Sequence, residues 1–220
     1  MGDDIITYQK APKGNTFADL AAAPVLYLIG SPKPEQLGDA VRSAVGAFAG
    51  PPTDREFLGH KIYTLTFPMM APVGTNTPAL SYSAAGGYLA LTMDSGILEE
   101  YLRSSQNEGK SLRDLPGFAS AAQKVAPSGS SMFAYANDAE TMRVMFGAAK
   151  SDLSSPGSPF AALAQMGIDS DGIKEWADFS LLPPFDAFAK YFYFSVFGSK
   201  AADDGITLSF YTPTPPGLKN

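Results

Sequence analysis

Residues 57–102 read FLGHKIYTLTFPMMAPVGTNTPALSYSAAGGYLALTMDSGILEEYL, and this stretch decides the fold. Side chains at 62–67 alternate between two faces, which predicts a β-strand. The Gly-Gly pair at 86–87 separates two β-prone runs and predicts a hairpin, because a two-residue turn of this kind needs positive φ. The Asp-Ser pair at 94–95 provides the N-cap for a helix over 97–103. The stretch therefore predicts a strand, a loop, a hairpin and a helix, in that order.

A strand followed by a helix is predicted twice along the chain. The first pair covers residues 25–29 and 35–48, and the second covers residues 132–136 and 138–149. A β-hairpin follows each pair later in the sequence. This pattern predicts an α+β fold with a largely antiparallel sheet and helices packed on one face.

The chain length permits one large domain or two small ones, since 220 residues are enough to bury a core in either case. We predict a single α+β domain over residues 1–220. The repeated strand and helix leave open that this domain consists of two related α/β lobes, residues 17–104 and 111–212.

Composition excludes several classes of function. The net charge is −6 and only 17% of residues are charged, with no dense Lys/Arg cluster, so we predict no nucleic-acid partner. The sequence has no cysteine, which excludes disulfides, thiol catalysis and cysteine-ligated metals. No cofactor is predicted.

The longest apolar stretch, residues 21–30, is too short to span a membrane, which takes about 20 residues. We therefore predict no membrane span in this chain. The acidic start, Met-Gly-Asp-Asp, does not resemble a signal peptide, which is basic and then apolar. Either the protein is cytosolic or an export segment lies outside this sequence, and we favour the second.

His60 is the only histidine and is the one candidate general base. No Gly-x-Ser-x-Gly elbow accompanies it. A half-exposed residue at the start of a strand is the simpler interpretation. A hydrolase using His60 requires this side chain to lie in a cleft within hydrogen-bond reach of a carboxylate or a serine, and no catalytic residue is assigned.

Two Asp-rich turns, containing Asp169 with Asp171 and Asp203 with Asp204, raise the question of a bound cation. The EF-hand spacing fails, because Gly172 follows Asp169 at the fourth position and not at the sixth. Asp-Gly is ordinary turn chemistry. No metal site is predicted, and cation binding at either turn stays open.

The segment 191–197, YFYFSVF, is predicted to begin the first strand of a final hairpin. In a strand, Tyr191, Tyr193 and Phe197 take one face, and the intervening apolar residues take the other. A strand that is apolar on both faces is either central in a sheet or contacts something outside the fold. An oligomer interface and a groove for an apolar ligand are both open, with the flexible Met69 and Met70 as further lining.

The order G-x-K-I-Y-x-L, Y-x-x-x-x-G-Y-L-A-L-T-x-D-S-x-x-L-E-E-Y-L, S-L-x-D-L-P-G-F and F-A-Y-A-N covers residues 59–65, 82–102, 111–118 and 133–137. It resembles an uncharacterised bacterial envelope-associated family, a domain of unknown function. Members typically carry an N-terminal signal or membrane anchor. The resemblance implies a periplasmic or extracellular, non-enzymatic protein, and it transfers no catalytic residue.

These observations favour a non-catalytic extracytoplasmic domain that binds or scaffolds. Its partner is an unknown protein or an apolar small molecule, and homo-oligomerisation is open. An apolar-ligand or lipid binder and a hydrolase using His60 with a carboxylate are the alternatives.

Overall fold

The structure is a computed structural model that describes residues 4–46, 48–68, 77–106, 111–151, 161, 165–166, 181 and 183–218. Its strands are β1 (Ile5–Gln9), β2 (Val25–Gly30), β3 (Thr53–Phe57), β4 (His60–Thr66), β5 (Ala79–Ala85), β6 (Tyr88–Thr92), β7 (Met132–Ala136), β8 (Ser195–Ala202) and β9 (Gly205–Tyr211). Its α-helices are α1 (Phe17–Ala21), α2 (Pro34–Val45), α3 (Ser95–Gln106), α4 (Phe118–Val125) and α5 (Asp138–Ser151). The predicted α+β class is confirmed.

The chain divides into two compact units. Unit 1 comprises residues 1–10 and 23–109, and unit 2 comprises residues 11–22 and 110–220. The predicted lobes, 17–104 and 111–212, divide near the same point, but α1 belongs to unit 2. Asn15, two residues before α1, accepts a hydrogen bond from Nη1 of Arg143 in α5 at 2.9 Å. The prediction of a single domain stays a prediction.

Unit 1 contains a six-stranded sheet in the order β1-β2-β6-β5-β4-β3, and every neighbouring pair is antiparallel. Gly86 and Gly87 have φ angles of 59° and 82°, so the predicted β5–β6 turn is confirmed. A second hairpin, β3–β4, turns at Leu58 and Gly59, with φ angles of 52° and 78°. Strand β3 was not predicted, because its residues, TDREF, are mostly polar.

Helices cover both faces of this sheet, where the sequence predicted one covered face. The reason is that β4 and β6 carry buried apolar side chains on both faces, and each face needs its own cover. On one face, α3 contributes Ile97, Leu98 and Leu102 to a cluster with Leu26, Leu28, Ile62, Ala85 and Ala90. On the other, α2 contributes Leu37, Val41 and Val45 to a cluster around Leu65, Tyr82 and Leu89.

Unit 2 contains a three-stranded antiparallel sheet in the order β7-β8-β9. Helix α4 covers one face of it, and a short 3-10 helix, Leu112–Asp114, precedes α4. A buried cluster that includes residues of α4 and β8 consists of Phe118, Ala121, Val125, Phe194 and Val196. The β8–β9 hairpin turns at Asp203 and Asp204, so the predicted final hairpin is confirmed, with its first strand beginning four residues later than predicted.

Strand β8 begins at Ser195 and not at residue 191 as predicted. Residues Ala189–Tyr191 form a 3-10 helix instead. Tyr191 and Tyr193 therefore precede the strand, and the prediction that they share one strand face with Phe197 is wrong. The apolar run gives no sign of this boundary, because its residue types suit a strand throughout.

The strand-helix-hairpin order recurs in the two units, but the strands pair differently. Strand β2 pairs with β6, the second strand of its hairpin, whereas β7 pairs with β8, the first strand of its hairpin. The two sheets therefore do not share one topology, and the predicted relation between the lobes does not extend to strand order.

Gly198 tests the packing of α4 on β8. A Cβ at this position would lie 2.1 Å from the carbonyl oxygen of Val125. Relieving this contact requires a shift of the backbone, which costs free energy. We therefore expect Gly198→Ala to lower the free energy of unfolding by about 1–3 kcal/mol in urea denaturation. Gly217→Ala is the matched control, because a Cβ there meets nothing within 4 Å. Equal effects of the two substitutions would contradict the close approach.

Candidate functional site

The face of the three-stranded sheet opposite α4 is apolar and exposed. Strand β9 contributes Ile206, Leu208 and Phe210, which are 72%, 65% and 69% exposed. The strand register places Phe210 beside Phe197, and Phe197 beside Ala134 of β7. We name this surface the exposed sheet face. It consists of eight apolar residues, Met132, Ala134, Ala136, Phe197, Ala201, Ile206, Leu208 and Phe210, and of the two buried serines Ser195 and Ser199.

The exposed sheet face contains no charged side chain. Its nearest charges in the hairpin are acidic, Asp203 and Asp204 at the turn, while Lys200 belongs to the opposite face by strand alternation. Seven residues of β9 span about 23 Å, and three strands span about 14 Å, so the face has a projected area on the order of 300 Å². This is as large as the largest apolar patch of a typical monomer, about 300–600 Å².

The predicted ligand-binding residues do not converge. Phe197 lies on the exposed sheet face, but Tyr193 packs against the α4 cluster and its hydroxyl donates to the carbonyl of Pro116 at 3.0 Å. Tyr191 is 55% exposed, with the ammonium of Lys190 at 5.0 Å from its ring centre. The other two predicted residues, Met69 and Met70, lie outside the described residues.

The three β9 side chains of this face were not predicted as site residues. Their alternation, apolar at 206, 208 and 210, is readable in the sequence ITLSFY. The alternation does not indicate which side of the strand is covered by the rest of the chain. Burial of Val196 and exposure of Phe210 follow from the position of α4, which is a tertiary property.

Unit 1 contains a pocket of about 280 Å³ between the first turns of α2 and the sheet. Its polar lining includes Glu35 and Asp39 from α2 and Lys61 from β4. Asp39 accepts a hydrogen bond from Arg42 at 2.7 Å. Among the described side chains, neither Glu35 nor Lys61 forms an ion pair, either with the other or with a third residue.

Two stacked tyrosines form part of the same pocket. The rings of Tyr63 and Tyr82 have centroids 5.2 Å apart and an interplanar angle of 21°. Tyr82 is only 2% exposed, and within the described residues its hydroxyl has no hydrogen-bond partner. Burial raises the pKa of the Tyr82 phenol above its usual value, and the Arg42 guanidinium opposes part of this rise.

His60 lies at the start of β4, at the edge of this pocket. Strand alternation places it on the face of Ile62, and its cross-strand partner is Phe57. In the described part of the chain, no carboxylate or serine forms a hydrogen bond with His60. The hydrolase hypothesis therefore gains no supporting contact.

The structure describes one of the two Asp-rich turns that were considered as cation sites. Asp203 and Asp204 form the exposed β8–β9 turn, and Asp169 and Asp171 lie outside the described residues. Across the described residues, no group of three or more His, Asp or Glu side chains is arranged to hold a metal ion.

No protein-family model, curated protein or solved structure matches this chain. The resemblance to a bacterial envelope family therefore stays a prediction. None of the helices in the described ranges combines the length and apolar character that crossing a membrane requires.

The Tyr82 hydroxyl leads to a stability prediction. Because it is buried without a partner, we expect Tyr82→Phe to leave the free energy of unfolding at pH 7 unchanged or higher in urea denaturation. The raised pKa means that wild type loses stability as pH rises above about 10, where the unfolded phenol ionises first. The variant should lose less over this range.

Tyr191→Phe is the control for that experiment, since it removes the same hydroxyl from a side chain that is 55% exposed. Tyr101 and Tyr135 also have pKa values raised by burial, so the slope should decrease in Tyr82→Phe and not vanish. A loss of more than about 1 kcal/mol at pH 7 would mean that the hydroxyl has a partner, against the structure.

Proposed function

We propose that this chain is a non-catalytic binding module that packs the exposed sheet face against an apolar surface of a partner protein. One observation carries the proposal: eight apolar side chains from three neighbouring strands lie on one uncharged sheet face, and three of them, Ile206, Leu208 and Phe210, are 72%, 65% and 69% exposed. The largest apolar patch on a monomer is often functional, because water contact with apolar area is unfavourable.

The size of the face indicates what the partner must do. Burying about 300 Å² of apolar surface contributes roughly 7 kcal/mol at 25 cal/mol per Å². Association itself costs about 4–15 kcal/mol, so this face alone supports weak binding at best. A specific interface buries about 800 Å² on each partner. The exposed sheet face is therefore the apolar centre of a larger contact.

Charge favours a protein over a lipid surface. Anionic bilayers attract Lys and Arg side chains, whereas the turn beside the exposed sheet face carries Asp203 and Asp204 and the chain has a net charge of −6. An apolar small molecule is disfavoured by shape, because small-molecule sites are concave and this surface is one side of a three-stranded sheet.

The proposed location is the bacterial envelope, periplasmic or extracellular. The support is the sequence resemblance at residues 59–65, 82–102, 111–118 and 133–137. Fractionation of the source cells, with an antibody against this chain, tests it. Recovery of the protein in the cytoplasmic fraction alone would overturn this part of the proposal.

Photo-crosslinking in the source organism tests the binding surface directly. A benzophenone amino acid replaces Leu208, which lies on the exposed sheet face. In the control it replaces Lys200, which is exposed on the opposite face of the same hairpin. We expect an adduct of one discrete protein mass from position 208 and none from position 200. Equal adducts from both positions, or none from either, would contradict the proposal.

Substitution gives the second test. With the crosslinker at Ile206, we expect Leu208→Ser combined with Phe210→Ser to reduce the adduct at least fivefold. The fold should survive, because changes at exposed positions typically alter stability by less than about 0.5 kcal/mol each. Leu112→Ser, an exposed apolar change in unit 2 away from this face, is the matched control. The same loss from the control would argue against a specific surface.

A further inference from the structure

We propose that strand β9 pairs edge to edge with β9 of a second copy of this chain, so that the two three-stranded sheets join into one. The pairing uses backbone groups at the open edge of the unit 2 sheet, whereas the proposed partner protein contacts side chains of the exposed sheet face. The inference therefore goes beyond the proposed function and does not rest on it. Three observations carry it: unpaired backbone groups, an unprotected strand and a self-complementary register.

The first observation is the direction of the β9 backbone. The sheet order β7-β8-β9 leaves β9 at an edge, with β8 as its one strand neighbour in the described residues. In an antiparallel strand, the N–H and C=O of one residue point to the same side, and successive residues alternate. The carbonyl of Ser199 accepts a hydrogen bond from the N–H of Ser131 at 2.9 Å, so Ser199 faces β7. Its register partner Leu208 is therefore not bonded to β8 and directs both backbone groups to the open edge.

Alternation gives the backbones of Ile206 and Phe210 the same direction as that of Leu208. Each copy therefore directs the N–H and C=O groups of these three residues away from its own sheet. Within the described part of the chain, none of these groups forms a backbone hydrogen bond outside the sheet. The three side chains are exposed, so this edge lies in water. A row of unpaired backbone groups is a template for pairing with another chain.

The second observation is that β9 lacks the features that keep an edge strand unpaired. Natural sheets block their edges with charged side chains, with Pro or with bulges. The β9 sequence, GITLSFY, contains no charged residue and no Pro, and its pairing with β8 runs without a bulge. Among the edge strands of the two described sheets, β9 is the longest, with seven residues against five in each of β1, β3 and β7. It is therefore the edge most open to a further strand.

The third observation is the register that β9 forms with its own copy. A twofold axis beside Leu208 places Leu208 opposite Leu208, Ile206 opposite Phe210, and Thr207 opposite Ser209. A β-branched residue opposite an aromatic one, and Thr opposite Ser, are both favoured cross-strand pairs. In the same register, the outward N–H groups of each copy meet the outward C=O groups of the other. Side-chain pairing and hydrogen bonding thus select one alignment.

Charge favours this antiparallel arrangement over a parallel one. The β8–β9 turn carries Asp203 and Asp204, and a parallel pair would bring the two acidic turns together. In the antiparallel register, the two copies of Asp204 lie about 27 Å apart along the strands, since each is four residues from the axis. This exceeds the screening length of about 8 Å at physiological ionic strength. The acidic turns therefore do not oppose the pairing.

The size of the contact sets the expected affinity. A seven-residue strand is about 23 Å long and a sheet is about 10 Å thick, so each copy buries on the order of 250 Å². This is well below the roughly 800 Å² per partner of a specific interface, so we expect a weak and reversible dimer. Because paired residues point to the same side of a sheet, the two exposed sheet faces lie side by side in it. The dimer would thus double the apolar area offered to the proposed partner.

Hydrogen exchange of the full chain, read residue by residue by fragmentation mass spectrometry, tests the pairing. We expect the amides of Ile206, Leu208 and Phe210 to exchange at least threefold more slowly as the concentration rises from roughly 10 µM to 1 mM. The amides of Thr207 and Ser209 are bonded to β8 and should be protected at both concentrations. Exchange that does not depend on concentration, or protection that appears in another edge strand instead, would overturn the proposal.

Single-cysteine variants test the register, because the chain has no cysteine of its own. Leu208→Cys should oxidise to a disulfide-linked dimer, since the Cα atoms of a hydrogen-bonded pair are about 5.5 Å apart, a distance that a disulfide spans. Ile206→Cys and Phe210→Cys should each stay monomeric, because a residue two positions from the axis lies about 14 Å from its own copy. Mixed together, these two variants should form a heterodimer. Equal crosslinking by all three variants alone would contradict the register.

A proline substitution tests the backbone contact separately from the side chain. Leu208→Pro removes an outward N–H without removing a bond to β8, and edge strands tolerate Pro at such positions. Leu208→Ala is the matched control, since it shortens the same side chain and keeps the N–H. In sedimentation at about 1 mM, we expect the dimer to be lost in the Pro variant and retained in the Ala variant. Equal dimerisation of the two variants would overturn the proposal, and cooperative urea unfolding checks that each is folded.

Failure of this pairing and failure of the proposed function are distinguishable. In the photo-crosslinking experiment, an adduct of twice the mass of the chain would report the second copy, whereas any other discrete mass would report the partner protein.

Discussion

The β5–β6 hairpin is the constraint on which unit 1 depends. Leu89 and Ala90 are neighbours in sequence, point to opposite faces of the sheet, and are both fully buried. A strand with this property cannot be stable with water on either side, so α2 and α3 must cover both faces. The same requirement brings the first turns of α2 over Tyr82. The candidate pocket therefore forms because α2 must pack on the second face of the hairpin to bury its apolar side chains.

Local signals in the sequence predict much of this fold, and their failures have physical causes. The Gly-Gly turn at 86–87 and the bounds of β7 follow from backbone preference and β propensity alone. Strand β3 was not predicted from the sequence because an edge strand does not need alternating apolar residues, and TDREF has no such alternation. The first residue of β8 was predicted wrongly because aromatic residues are compatible with both a strand and the turn that precedes it. Which face of a sheet is covered depends on helices that are distant in sequence, and no local sequence pattern indicates where those helices pack.

The candidate sites were less predictable than the fold. Phe197 was selected from its aromatic surroundings and does lie on the exposed sheet face, yet Ile206, Leu208 and Phe210 are more exposed. The sequence shows that a strand has two faces and does not show which of them stays open. Similarly, Tyr82 and Glu35 are 47 positions apart, the difference between their numbers, and nothing local links them. A hydroxyl without a partner is a property of three-dimensional packing, so no motif search would find it.

The assignment of α1 to unit 2 has a consequence for how this protein forms. The chain enters unit 1, leaves it for residues 11–22, returns for residues 23–109 and then completes unit 2. Asn15 and Arg143, which join α1 to α5, are 128 positions apart. Closing a flexible loop of that length costs about 4 kcal/mol in chain entropy. If unit 1 folds first during synthesis, it shortens this loop before α5 emerges from the ribosome. The connectivity thus favours a vectorial folding order, and residues 110–220 made as a separate fragment would lack a helix of their own unit.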